Sequence, residues 1–290
     1  MAEPLPTAYF NGTFLPLADV RISPLDRGFL FGDGIYEVIP AYNGRLFHLP
    51  EHLERLQYSL DCIHLENPLV QAEWSSLLDK LVARNGSGDQ AVYLQLTRGV
   101  DNVRDHAFPT SAPPTVFAMS APLAKLSQRL KTRGAKIMTL EDIRWQRCDI
   151  KSVALLGNVL LRQQATDLGC DEAILVRSGH ANEGTASSLF IVHKNLLITP
   201  PKSSDLLPSI TRDVVLALAR DNGIPMREAF IPLEQLREAE EVWLASSTRE
   251  VYAVTELDGR KLGNGEPGPL WRHIYDLFQR HKAELLSARP

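Results

Sequence analysis

Cysteine is scarce: Cys62, Cys148 and Cys170 stand far apart in 290 residues, and no Cys-x-x-Cys pair occurs. Nothing therefore indicates a disulfide framework or a cysteine-based zinc site, and the chain suits a reducing cytoplasm. No stretch approaches the roughly 18 apolar residues of a membrane helix. The start, Met1-Ala2-Glu3-Pro4, lacks the basic region and apolar run of a signal peptide. Basic excess is missing too. The net charge is −4 with no basic stripe, which gives no footing for nucleic acid or an anionic membrane. There is no internal repeat, no low-complexity tract and no Walker or dinucleotide glycine pattern. Gly32-Asp33-Gly34 is a fragment of such a pattern, but it precedes a strand rather than a helix.

What is present is ordinary globular material. Apolar residues make up 44% and charged residues 23% of the chain, proportions that build a soluble core without staples. Asn11-Gly12 and Asn43-Gly44 sit between short β-prone runs and predict two hairpins. Leu49, Leu53, Leu56 and Leu60 recur at helical spacing, as do Trp74, Leu77, Leu78, Leu81 and Val82. Strand-like runs cover 91–97 and 115–120. A polar stretch follows, and we expect an N-terminal domain over 1–122, a linker over 123–133 and a C-terminal domain over 134–290. In the latter, 135–140, 172–176, 189–193, 196–199, 241–245 and 251–257 read as strands. Residues 158–168, 211–221 and the region of Trp271, Ile274, Leu277 and Phe278 read as helices. Strands and helices mix without regular alternation, which predicts two α+β domains with a site between them.

Several residues carry chemistry. Lys151, expected at a strand end, and Glu183, expected on a turn, suit a pyridoxal phosphate site. The amine can form a Schiff base with the cofactor aldehyde, and the carboxylate can keep the pyridine nitrogen protonated. Pro208-Ser209-Ile210-Thr211-Arg212 opens a helix, whose start can bind a phosphate, although in isolation a plain cap by Ser209 or Thr211 is the better reading. Ser246-Ser247-Thr248 is a hydroxyl-rich strand end, or simply a turn. Arg55 lies off its helix's leucine stripe and reads either as an anion ligand or as a solvated arginine. Arg98, Arg104 and His106 cluster after a strand, where a guanidinium fork could grip a carboxylate; a charged surface loop is the alternative.

In this order the pieces resemble fold-type IV pyridoxal phosphate enzymes, the class IV aminotransferases, over nearly the whole chain. Residues 26–37 resemble the family's N-terminal block. The resemblance implies that Lys151 is the Schiff-base lysine, that Glu183 partners the ring nitrogen and that Leu207 supports the ring face. It implies phosphate binding by Arg55, Ile210, Thr211, Ser246 and Ser247. At Ser188 the family usually has asparagine, and a hydroxyl replaces only part of an amide's hydrogen bonding. Within the family, residues 144–152 and Arg104-x-His106 resemble the D-amino acid aminotransferases. There Arg104 and His106, entering from the partner subunit of a homodimer, would bind the substrate carboxylate with Tyr36. The activity implied is transamination between a D-alanine-type amino acid and a 2-oxo acid such as 2-oxoglutarate or pyruvate. Aminodeoxychorismate lyases and branched-chain aminotransferases share the lysine and glutamate but usually lack this Arg-x-His pair, and (R)-amine transaminases are also close relatives; these are the alternative activities.

Overall fold

A computed structural model describes residues 3–124 and 126–287. The chain divides into two compact units: Met1–Ala124 with Ile150–Leu155, and Lys125–Asp149 with Leu156–Pro290. The short insert Ile150–Leu155 thus packs with the first unit, although it lies within 134–290 in sequence. Its backbone explains this. Tyr36 N donates to Lys151 O at 2.9 Å, Val153 N donates to Gly34 O at 3.1 Å, and Ser152 bridges to Ile35.

In order, the first unit contains β1 (Thr7–Phe10), β2 (Thr13–Pro16), α1 (Arg27–Phe31), β3 (Gly34–Tyr42), β4 (Arg45–Leu46), α2 (Leu49–Cys62), α3 (Gln71–Arg84), β5 (Gln90–Thr97) and β6 (Thr115–Pro122). Its strands form an antiparallel sheet of order β2-β1-β6-β5-β3-β4. The leucine stripe of α2 meets the sheet: Leu53, Leu56 and Leu60 join Ile35, Ile39, Leu94 and Trp74 in one core. Each fully buried leucine of this kind contributes about 1.5–3 kcal/mol relative to an exposed one.

The second unit contains α4 (Gln128–Arg133), β7 (Ala135–Glu141), α5 (Leu156–Asp167), β8 (Glu172–Arg177), β9 (His180–Gly184), β10 (Ser188–His193), β11 (Leu196–Thr199) and α6 (Ile210–Asp221). There follow β12 (Met226–Glu228), β13 (Ile231–Pro232), α7 (Leu233–Arg237), β14 (Glu241–Ser246), β15 (Glu250–Leu257), β16 (Arg260–Lys261) and α8 (Pro269–Ser287). The strands run β12-β11-β10-β14-β15-β7-β8-β9-β13, and β9 also pairs with β10. The path β10-β14-β15-β7-β8-β9 therefore closes on itself as a barrel-like ring filled by Ile137, Ile174, Leu189, Ile191, Leu244 and Tyr252, among others.

Two-residue hairpins recur because their central residues accept positive φ, which matches the twist of the flanking strands. Asn11-Gly12 adopts φ of 43° and 97°, Asn43-Gly44 49° and 77°, and Lys194-Asn195 53° and 59°. Gly32-Asp33-Gly34 has a different use. Gly32 ends α1 at φ 66°, and a Cβ on Gly34 would sit 2.5 Å from the Leu96 carbonyl oxygen. The glycines permit a helix stop and a close strand pair.

Candidate active site

In the first unit, Lys151 lies in an irregular segment, not at the strand end expected. Its amide donates to Ser59 Oγ on α2 at 3.3 Å, and its carbonyl accepts from Tyr36 on β3. The peptide is thus clamped between a helix and a strand, and the half-buried side chain projects from a fixed root. The amine stands 4.3 Å from the centre of the Tyr36 ring, a cation facing an aromatic surface. Tyr36 stacks on Tyr93 at 5.7 Å. Tyr93 donates to Gln95 Oε1 at 2.7 Å, and burial, with Tyr36 beside it, pushes its pKa up to about 12.

Arg55 is buried, so it is not a solvated helix arginine. Its Nε donates to Glu37 Oε1 at 2.8 Å and its Nη2 to Glu37 Oε2 at 2.7 Å. His52 Nδ1 lies 2.8 Å from the same Oε2. Burial raises the Glu37 pKa, but the Arg55 guanidinium and His52 outweigh it and hold the carboxyl well below its ordinary value. Burial lowers the pKa of His52. A neutral imidazole donating Nδ1–H to an ionised Glu37 fits both directions. The outcome is a guanidinium fixed by a two-point grip.

Arg104 and His106 lie in the exposed loop after β5. Arg104 Cζ sits 5.0 Å and the His106 ring 5.3 Å from the centre of the Phe31 ring. Beneath them the buried Arg27 donates to the carbonyls of Asp105 at 2.7 Å, His106 at 3.2 Å and Ala107 at 3.2 Å, and to Asp33 Oδ2 at 2.8 Å. Arg98 does not join the pair. It is buried against Asp33, at 2.8 Å and 3.1 Å, and donates to the carbonyls of Ile63 and His64. Its guanidinium is committed to structure, because a buried charge must be paired.

In the second unit, Glu183 lies inside β9, buried, rather than on the turn expected. Its register explains this: it pairs with Leu175 on β8 and with Ser188 on β10, where the ring closes. Its Oε1 accepts from Arg144 Nη1 at 2.6 Å and its Oε2 from Leu207 N at 3.2 Å. Burial raises its pKa; Arg144 and the Leu207 amide oppose that, and the net direction stays upward. Ser188 pairs on its other side with Ala245, next to Ser246 at the end of β14. Ser247 follows in the turn. Ser209 caps α6 by accepting from Arg212 N at 3.2 Å. The cap alternative therefore holds for Ser209, while the amides of Ile210 and Thr211 stand ahead of the first intrahelical bond. Helix α6 packs on β14.

Pyridoxal phosphate fits the second unit's donor set. Helix-start amides and strand-end hydroxyls suit a phosphate. A buried carboxylate with a raised pKa gains from a cationic N–H such as a protonated ring nitrogen.

Comparisons with known proteins agree. Residues 34–257 match the model of the family described as amino-transferase class IV. The chain belongs to that family. It is 39% identical over 270 residues to a D-alanine aminotransferase of Bacillus licheniformis, covering 93% of this chain and 95% of that one. It is 39% identical over 269 residues to a D-alanine aminotransferase of Listeria monocytogenes, covering 92% and 93%. A T.th. branched-chain amino acid aminotransferase, solved with pyridoxamine 5′-phosphate, superposes with a TM-score of 0.89 at 25% identity, over 95% of this chain and 93% of that one. The architecture is that of the fold-type IV aminotransferases, α+β as expected, and enzymes of this class depend on pyridoxal 5′-phosphate.

Sequence reasoning assigned no role to Glu37, His52, Arg27, Asp142 or Arg144. A signal existed for the first two. Glu37 shares the apolar phase of β3 with Ile35, Ile39 and Ala41, all fully buried. A charge in that phase demands a partner, and His52 and Arg55 occupy one face of α2 at i and i+3.

Proposed function

We propose that the chain is a D-amino acid aminotransferase, moving the amino group of a D-alanine-type amino acid to a 2-oxo acid such as 2-oxoglutarate or pyruvate. The observation that carries this reading is Glu183, a buried carboxylate held by Arg144 and the Leu207 amide, in a chain 39% identical to D-alanine aminotransferases. The branched-chain aminotransferase likeness is weaker, at 25% identity. When bound, pyridoxal phosphate supplies an electron sink for charge developing at the substrate α-carbon. Lys151 would attach the cofactor and carry the α-proton, and its clamped backbone fixes the root from which the amine reaches. Glu183 holds a proton on the ring nitrogen. Arg55, the amides of Ile210 and Thr211, and the hydroxyls of Ser246 and Ser247 bind the phosphate; Leu207 supports the ring face.

Tyr36, Arg104 and His106 bind the substrate carboxylate, the latter two entering from the partner subunit of a homodimer. Exposed Phe29, Val103 and Phe108 around that loop support a covered face, since large apolar groups are costly in water. Residues 134–290 form the cofactor-binding domain in this reading, apart from the insert that carries Lys151. The three free cysteines support a cytoplasmic enzyme, and among the described residues no helix is long and apolar enough to cross a membrane. Steady-state kinetics of Arg104→Leu test the substrate assignment. A charge-assisted contact is worth about 1.5–3 kcal/mol, so kcat/KM for D-alanine should fall by at least about tenfold. Amines lacking a carboxylate should be spared. No change for D-alanine would place Arg104 outside the site. Equal loss for both substrates, with a falling dimer fraction in sedimentation, would make it an interface residue.

A further inference from the structure

Arg144 stands in Arg144-Trp145-Gln146-Arg147, ahead of the lysine segment. Its side chain is buried and completely engaged in the second unit. Nη1 donates to Glu183 Oε1 at 2.6 Å, Nε to Asp142 Oδ1 at 2.9 Å and Nη2 to Asp142 Oδ2 at 3.0 Å. Asp142 is itself buried and receives Arg177 at 2.9 Å, and Arg177 reaches Asp205 at 2.6 Å. The charges thus alternate along one chain from the barrel wall outward: Glu183, Arg144, Asp142, Arg177, Asp205. The two-point grip of Asp142 leaves Arg144 one orientation, and that orientation aims Nη1 at Glu183.

We propose that Arg144, locked by Asp142, is a positioning residue that keeps Glu183 ionised and turned so that the carboxylate can hold the proton of the cofactor's ring nitrogen. The inference rests on the reading of Glu183 as the ring-nitrogen partner. Electrostatics support it. Burial raises the Glu183 pKa, Arg144 is the largest opposing influence, and Asp142 works against it. Cys148, whose thiol burial pushes up, is the further titratable group coupled to Glu183. Without Arg144, burial and Asp142 would favour a neutral Glu183 acid, and a neutral acid stabilises a ring proton far less than a carboxylate does. Arg144 touches neither cofactor nor substrate in this scheme; it acts through Glu183 alone.

The test uses holoenzyme reconstituted with cofactor carrying 15N at the ring nitrogen. The 15N signal reports ring protonation independently of turnover. Wild type should stay protonated from pH 6 to about pH 9, since a buried charge-assisted pair resists titration. Arg144→Met should lose the ring proton within that range, with kcat for D-alanine down at least about tenfold and KM changed less than about threefold. Arg144→Lys, which keeps a charge but not the fork, should restore part of the protonated range. Glu183→Gln, run in parallel, separates the two readings. If Glu183→Gln leaves the ring signal unchanged, the Glu183 assignment itself fails. If Glu183→Gln shifts it while Arg144→Met keeps the wild-type signal at every pH, only the Arg144 proposal is overturned, and a lower kcat would then reflect packing. Should Arg144→Met not fold, Arg144→Lys decides: a ring signal indistinguishable from wild type over the range overturns the proposal.

Discussion

Lys151 is the one side chain assigned two jobs, and its surroundings suit both. Its backbone is held by Tyr36 and Ser59, so the amine pivots on a fixed root against the Tyr36 ring. Replacing it by alanine removes the amine and leaves those backbone bonds in place. Turnover should therefore fall by more than about a thousandfold, the scale seen when a group that acts as nucleophile or base is deleted. The thermal midpoint should move little, because the side chain is only half-buried. Near-wild-type transamination by Lys151→Ala, measured with D-alanine and pyruvate-linked detection, would remove Lys151 from the mechanism. At this scale the residue types were legible and their environments only partly so. Lys151 and Glu183 are named by the family resemblance, but Arg144, which pairs with Glu183, and Ser59, which holds the Lys151 amide, are distant from them in sequence and carry no periodic signal. Glu37 could have been found, because a carboxylate in the core phase of an alternating strand cannot remain unpaired.

Among the elements, hairpins announced themselves through their turn chemistry, and the long amphipathic helices through their stripes. The short helix α1 did not. Five residues, Arg27–Phe31, are too few for a period to show. What holds them is tertiary: the Asp26 side chain caps the helix and also accepts from Thr97 and Thr115 at 2.7 Å and 2.6 Å. Likewise Asn182-Glu183-Gly184 reads as a turn by composition, and only the pairing on both sides makes it a strand. Helix α1 has a consequence for the Arg104–His106 loop, since Arg27 grips three successive carbonyls there and Phe31 supports both side chains. A lysine has no fork and cannot serve three carbonyls and Asp33 together. Arg27→Lys should speed amide hydrogen exchange over 103–108 and raise KM for D-alanine by about tenfold, the worth of one hydrogen bond to a charged group. Exchange in that loop at the wild-type rate would mean that Arg27 serves only the pair with Asp33.

Across the whole molecule the Glu37 and Asp33 clusters and Glu183 differ in how they meet acid. In the first unit, Glu37 and Asp33 have pKa values held below ordinary: burial pushes both up, but Arg55 with His52 and Arg98 with Arg27 more than offset it. Burial also lowers the His52 pKa below its ordinary 6.5. Every one of these folded values lies under the unfolded one. Their stabilisation is complete above the unfolded pKa and is lost as pH falls through the folded value. His52 begins this loss just below pH 6.5, and the carboxylates extend it below their ordinary 3.8 and 4.5. In the second unit Glu183 has the opposite sign. Its folded pKa lies above the ordinary 4.5, so its contribution is complete below 4.5 and is lost as pH rises through the folded value. Acidification of the apoprotein from pH 7 to pH 5 should therefore loosen the first unit while the second holds or firms. Hydrogen exchange, corrected for the intrinsic pH dependence of the amides, reads this directly. Protection in β3, α2 and β5 should fall before protection in β8, β10 and β14. His52→Gln removes the imidazole that must stay neutral, so it should flatten the fall between pH 6.5 and pH 5 even if it lowers protection at pH 7. A loss that starts in the second unit, or a His52→Gln protein with an undiminished slope, would mean that the acid response originates elsewhere than in the Glu37–His52–Arg55 cluster.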